Sequence, residues 1–111
     1  EQEMFTLVKS NGGGYLLMGM AGSADKCMAA DRGYNDLLMI HQCDPNNPDQ
    51  SWIFRRVDLS STNYQLVQLS SGRCVRAPGL HDGAWVRVGD CDEREERQFW
   101  QVCGLDGQCD F

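Results

Sequence analysis

Apolar and polar residues alternate in several short stretches of the chain. "YQLVQL" (64–69), "RCVRA" (73–77), "WVRVGDC" (85–91) and "FWQV" (99–102) are each rich in alternating apolar positions and are separated by Gly, Asp, Asn, Ser or Pro. This is the grammar of short strands joined by turns, because successive side chains of a strand point to opposite faces. In "LLMIHQC" (37–43) the alternation turns Leu38 and Ile40 toward a core and Leu37, Met39 and His41 outward. In "AWVRVGDC" (84–91) Val86 and Val88 face in, while Trp85, Arg87 and Gly89 face out. No segment sustains a helical period. "DEREERQFW" (92–100) has the length of a short helix, but seven of its nine residues are charged or amide-bearing, which predicts a solvated turn. The expectation is an all-β chain forming one domain over 1–111.

The strand pattern also repeats. The pattern Gln-x-apolar starts at Gln2, Gln50 and Gln98, 48 residues apart each time. The cysteines keep the same step: Cys27 and Cys74 are 47 apart, Cys43 and Cys91 are 48 apart. "SADKCMAA" (23–30) aligns with "SSGRCVRA" (70–77), and "GYLLMGM" (14–20) with "NYQLVQL" (63–69). Read through this period, the chain carries strands 3 and 4 of one unit, a complete four-strand unit (lobe one), and strands 1 to 3 of another (lobe two).

A unit that opens on Cys-apolar, reaches a second strand ending in Cys and closes on Gln-x-Trp resembles the ricin B-type (R-type) lectins, β-trefoils whose lobes carry a "QxW" signature. The resemblance covers 23–102, with the positions 2–4, 50–52 and 98–100 as its QxW-type sites. The cysteine-rich domain of the mannose receptor is also similar, with a cysteine just after the Trp strand, as Cys103 follows "FWQV". The resemblance implies a β-trefoil-like fold and pairs Cys27 with Cys43, Cys74 with Cys91, and Cys103 with Cys109. Each of the first two bridges closes a loop worth about 3 kcal/mol in the chain-entropy model. A full trefoil has twelve strands, and strands 1 and 2 of one lobe are unaccounted for. Either that lobe is irregular and built from both termini, or a partner protein completes it and covers the open strand edges.

Galactose-binding relatives use an Asp two residues after the first cysteine of a lobe, an aromatic plate two before the second, and an Asn or similar residue before the QxW glutamine. The matching positions are Ala29, His41 and Asp49 in lobe one and Arg76, Gly89 and Arg97 in lobe two. Lobe two therefore lacks the acceptor and the plate. Lobe one keeps a ring and a carboxylate, and Asp31, two residues past Ala29, is the candidate substitute for the missing Asp. His41, Asn46, Asp49 and Asp31 are the candidate carbohydrate-binding residues, since a sugar needs a plate for its C–H face and fixed acceptors for its hydroxyls. Trp52 and Trp100 belong to the core, with Gln50 and Gln98 bonding the backbone of the preceding turn. Trp85, outside the repeat core, either covers a lobe junction or contacts a ligand or partner, and Met39 joins it as a candidate partner contact.

Charge and cysteine usage narrow the partners. A net charge of -6, with no local run of bases, disfavours nucleic acid and polyanionic glycans. No apolar run approaches the length of a membrane span. Six cysteines without paired C-x-x-C spacing favour disulfides over zinc and an oxidising, extracellular location. The chain opens at Glu1, as a chain relieved of a signal peptide or a trimmed one would. His41 and His81 sit in different lobes with no nucleophile motif, so no enzyme, cofactor or metal is expected. "DPNNPD" and "DCDEREE" lack the order of a calcium loop, and "NGGG" (11–14) reads as a hairpin turn. The expected function is a secreted carbohydrate-recognition module. Its rivals are an assembly subunit that binds protein, and a protease inhibitor presenting "RAPGLHDG" (76–83).

Overall fold

The computed structural model describes residues 5–19, 26–31, 37–58, 62–77, 86–101 and 103. Nine strands occur among these residues: β1 (Phe5–Lys9), β2 (Tyr15–Gly19), β3 (Lys26–Asp31), β4 (Leu37–Gln42), β5 (Trp52–Arg56), β6 (Asn63–Gln68), β7 (Cys74–Arg76), β8 (Arg87–Gly89) and β9 (Trp100–Gln101). All their pairings are antiparallel. The path β2-β3-β4-β8-β7-β6-β5 returns to β2 through Tyr15↔Trp52, closing a ring. β1 lies outside the ring on β2, and β9 joins β6 through Tyr64↔Trp100. The two junctions, Tyr15↔Trp52 and Tyr64↔Trp100, are the same contact one period apart. The fold is all-β and trefoil-like, as expected.

Turn chemistry explains how β1 reaches β2. Gly13 and Gly14 both have positive φ, 113° and 71°. A Cβ on Gly14 would stand 2.6 Å from the Trp52 carbonyl oxygen. Gly14 is therefore required twice, by its own backbone and by the approach of β5. "NGGG" is the hairpin turn its composition suggests.

The core gathers where the lobes meet: Leu17, Ala30, Trp52, Val75 and Val88 are buried together, with Trp100, Phe54, Leu66, Met28, Leu38 and Val86 packed against them. Trp52 is fully buried, and its indole N–H donates to the Met28 carbonyl at 3.1 Å. Trp100, half-buried, makes the matching bond to Val75 O at 3.1 Å. A buried indole needs such a partner, and the repeat supplies it in the same place twice.

Two sequence expectations need correction. Ile40 was expected to face the core and is 56% exposed. It shares a face with Leu38, but β4 meets β8 only at Leu37↔Arg87, so the β3–β4 hairpin runs past the core beyond Leu38. "DEREERQFW" contains a one-turn 3-10 helix, Glu96–Gln98, with Gln98 buried. The alternation of β6 hides two further polar residues, because Gln65 and Gln68 are 0% and 3% exposed. Gln65 bonds Gln98 Oε1 at 3.0 Å and Asp92 O at 3.2 Å, and Gln68 bonds Asp49 O at 2.9 Å and Ala30 O at 3.2 Å. Both sides of β6 are packed against other segments, and each glutamine satisfies carbonyls that burial would otherwise leave bare.

The disulfides Cys27–Cys43 and Cys74–Cys91 are formed. Cys103 is also disulfide-bonded, while Cys109 lies outside the described residues. So do Trp85 and His81.

Candidate functional site

The site begins at the end of the β3–β4 hairpin. Cys27 stands opposite His41 in register, and the Cys27–Cys43 bridge holds the chain just past β4. Beyond Cys43 the backbone turns through Asp44–Asn47, where the Asp44 carboxylate accepts from Asn46 N at 3.0 Å. Pro48 then starts a one-turn 3-10 helix, Pro48–Gln50, with Asn47 as its cap: Asn47 Oδ1 accepts from Asp49 N at 3.0 Å. Proline suits that position because it needs no donor there and its φ is preset. Gln50 locks the turn from beneath. Its Oε1 accepts from Asp44 N and its Nε2 donates to Gln42 O, both at 2.8 Å.

Between the hairpin end and this turn lies an open depression of about 600 Å³. Ala29, 4% exposed, and Ala30, 8% exposed, contribute to its lining with His41, Asp49 and Asn47. His41 and Asp49 are both exposed. The sequence candidates thus separate. His41 and Asp49 come together; Asn46 does not join them, because its Oδ1 accepts from Asn11 Nδ2 at 2.7 Å and ties this loop to the β1–β2 turn. Its neighbour Asn47 lines the depression instead. Asp31 ends β3 opposite Leu37, and its side chain is outside the described set. Met39 is half-buried, opposite Ala29 on the same hairpin. The signal for Asn47 was present in the sequence: Asn two residues before Asp49 and directly before Pro48 is a helix-cap pattern.

Lobe two repeats the scaffold with different chemistry. Gln98 accepts from Asp92 N at 2.9 Å and donates to Asp90 O at 2.8 Å, and Glu95 caps Glu96–Gln98 by accepting from Arg97 N at 3.1 Å. Arg97 occupies the position of Asp49 and turns its guanidinium back on Glu95 at 3.3 Å. The Arg97 side-chain hydrogen bond, reinforced by its backbone N–H, holds the Glu95 carboxyl below the usual glutamate range. Where lobe one presents a carboxylate outward, lobe two has an internal ion pair.

An exposed ring beside an outward carboxylate over a small apolar floor can stack on a C–H face and accept from hydroxyls. Among the described residues no group of three or more His, Cys, Asp or Glu could hold a metal, and no helix is long and apolar enough to cross a membrane. The family model of the ricin-type β-trefoil lectin domain matches residues 16–100. The chain belongs to that family. This ricin-type domain is also similar to the crystal structure of a designed three-fold symmetric protein, ThreeFoil. The TM-score is 0.71 at 23% sequence identity, covering 91% of this chain and 71% of that one. At that identity the likeness concerns the fold alone. No curated protein sequence matches the chain. Membership in a lectin-domain family suggests a carbohydrate-binding module.

Proposed function

We propose that this domain is a secreted, non-catalytic module that binds carbohydrate in the depression of lobe one. The reading rests on one observation: His41 and Asp49 share an open depression over Ala29, on a turn held by Asn47 and Gln50, whereas lobe two spends the equivalent position on the Arg97–Glu95 pair. A pyranose offers an apolar C–H face and a ring of hydroxyls. The imidazole takes the face, and the Asp49 carboxylate accepts from hydroxyls, with the Asn47 amide as a further donor. The family's usual Asp is absent at Ala29, so Asp49 is the principal acceptor. Disulfides in lobe one and lobe two support an oxidising compartment.

The test is a glycan-array screen of the oxidised protein beside Asp49→Ala and His41→Ala. A hydrogen bond to a charged group contributes about 1.5–3 kcal/mol, so Asp49→Ala should weaken a specific hit by about tenfold to a hundredfold. Hits that both variants retain at full strength would remove lobe one from the account.

One observation favours a second reading, in which the domain is an assembly subunit. Ile40 is 56% exposed beside Met39 on the hairpin, and an apolar residue placed so openly suits a protein contact. A blank array from folded protein, with capture of a stoichiometric partner lost on Ile40→Asp, would favour it.

A further inference from the structure

Lobe two has lost the features that make lobe one a sugar-site candidate, and it has gained charge. Across β7 and β8 the pair Val75↔Val88 faces the core, at 2% and 5% exposure. The next pair, Arg76↔Arg87, therefore lies on the opposite face, with the two side chains adjacent. Arg97 is brought beside them because its carbonyl accepts from Ala77 N at 2.7 Å. Among the described residues, Glu95 is the carboxylate that faces this group, bonded to Arg97 at 3.3 Å and within the field of Arg76. Among the described residues, three arginines thus gather at one place with Glu95 in a chain whose net charge is -6. Arg76, Arg87 and Arg97 come from separate segments, so no run of bases marks them in the sequence.

The second observation is independent of the charge count. Arg87 Nε is buried and has no hydrogen-bond partner among the described residues. Buried donors are almost always paired, and an unpaired one beside a second arginine suits an incoming acceptor. We propose that Arg76 and Arg87, with Arg97 beside them, form an anion site in lobe two that takes an oxyanion group, sulfate or carboxylate, of an acidic ligand. The planar guanidinium presents parallel donors that match both groups. Glu95 competes for the same cations and sets the affinity. This site is separate from the lobe-one depression, and neither reading depends on the other.

The experiment is a nuclear magnetic resonance titration of the intact, oxidised, ¹⁵N-labelled protein, following the arginine Nε–H signals. The probes are sodium sulfate and methyl glucuronide, with sodium chloride at matched ionic strength and neutral methyl glucoside as controls. The expected result is a saturable shift of the Arg87 and Arg76 signals with sulfate, glucuronide or both, and none with the controls. A response to sulfate alone assigns the site to a tetrahedral oxyanion, and a response to glucuronide alone to a carboxylate. Arg87→Gln should weaken binding about tenfold. Glu95→Gln, which keeps the cap oxygen, should tighten it severalfold. Arg76→Gln, at a half-buried position, serves if Arg87→Gln does not fold. Shifts that chloride reproduces, or affinity unchanged in the folded arginine variants, would overturn the proposal. Asp49→Ala should leave the titration unchanged.

Discussion

Gly14 shows how much one position can carry. Its φ of 71° is hard on any L side chain, and the Trp52 carbonyl sits where a Cβ would go. Gly14→Ala should lower stability by about 1–3 kcal/mol, read as a shift in the denaturant midpoint. Gly13→Ala, with nothing within 4 Å of its Cβ, meets only the backbone penalty and should cost less. Glu95 sets a pH dependence. Its folded pKa is lowered, first by the Arg97 side chain, so the carboxylate contributes stability above the ordinary glutamate range. That contribution disappears as pH falls through the folded value. Chemical denaturation between neutral and acidic pH should show a shallower acid decline in Glu95→Gln than in the parent.

At the scale of elements, the β3–β4 hairpin and the 3-10 turn after it act as one unit, joined by the Cys27–Cys43 bridge and the Gln50 clamp. Replacing both cysteines with alanine should cost about 2–5 kcal/mol, measured by thermal or denaturant unfolding, and should weaken any lobe-one ligand as the Asp49 turn loosens. Much of this unit was legible in the sequence. The 48-residue step identified Gln50 and Gln98 as turn clamps, and those bonds recur one period apart. Ile40 was not legible, because alternation gives the face of a strand but not where the core beneath it ends. Gln65 and Gln68 were hidden for the opposite reason: a polar residue in a strand reads as outward unless both sides of the strand are packed. Composition does not separate Asn46 from Asn47, but the place of Asn47 directly before Pro48 marks it as the cap, and the bonds to Asp49 N and from Asn11 agree with that order.

At the scale of the whole molecule, the two lobes share a frame and differ in charge. Gln65 in β6 reaches Gln98 and Asp92 in lobe two, while Gln68 on the same strand reaches Asp49 and Ala30 in lobe one. β6 is thereby the strand on which both lobes are anchored. The arginine group of lobe two escaped sequence reading because topology, not proximity along the chain, assembles it. The ring itself is uneven: β5–β6 and β3–β4 are paired over five and six residues, whereas β2–β3, β4–β8, β6–β7 and β2–β5 each meet at a single pair, Met18↔Cys27, Leu37↔Arg87, Val67↔Cys74 and Tyr15↔Trp52. Short seams open at lower free energy than long ladders, so the domain should breathe along these single-pair seams before it unfolds. Leu38 N donates across the β4–β8 seam to Val86 O at 2.9 Å, so amide hydrogen exchange would register this as rapid labelling of Leu38 and Tyr15 against slow labelling of Phe54 and Leu66. A barrel that parts along its seams does so like petals around a common stalk. Occupying one lobe would then slow the opening of that lobe while leaving the other free to move.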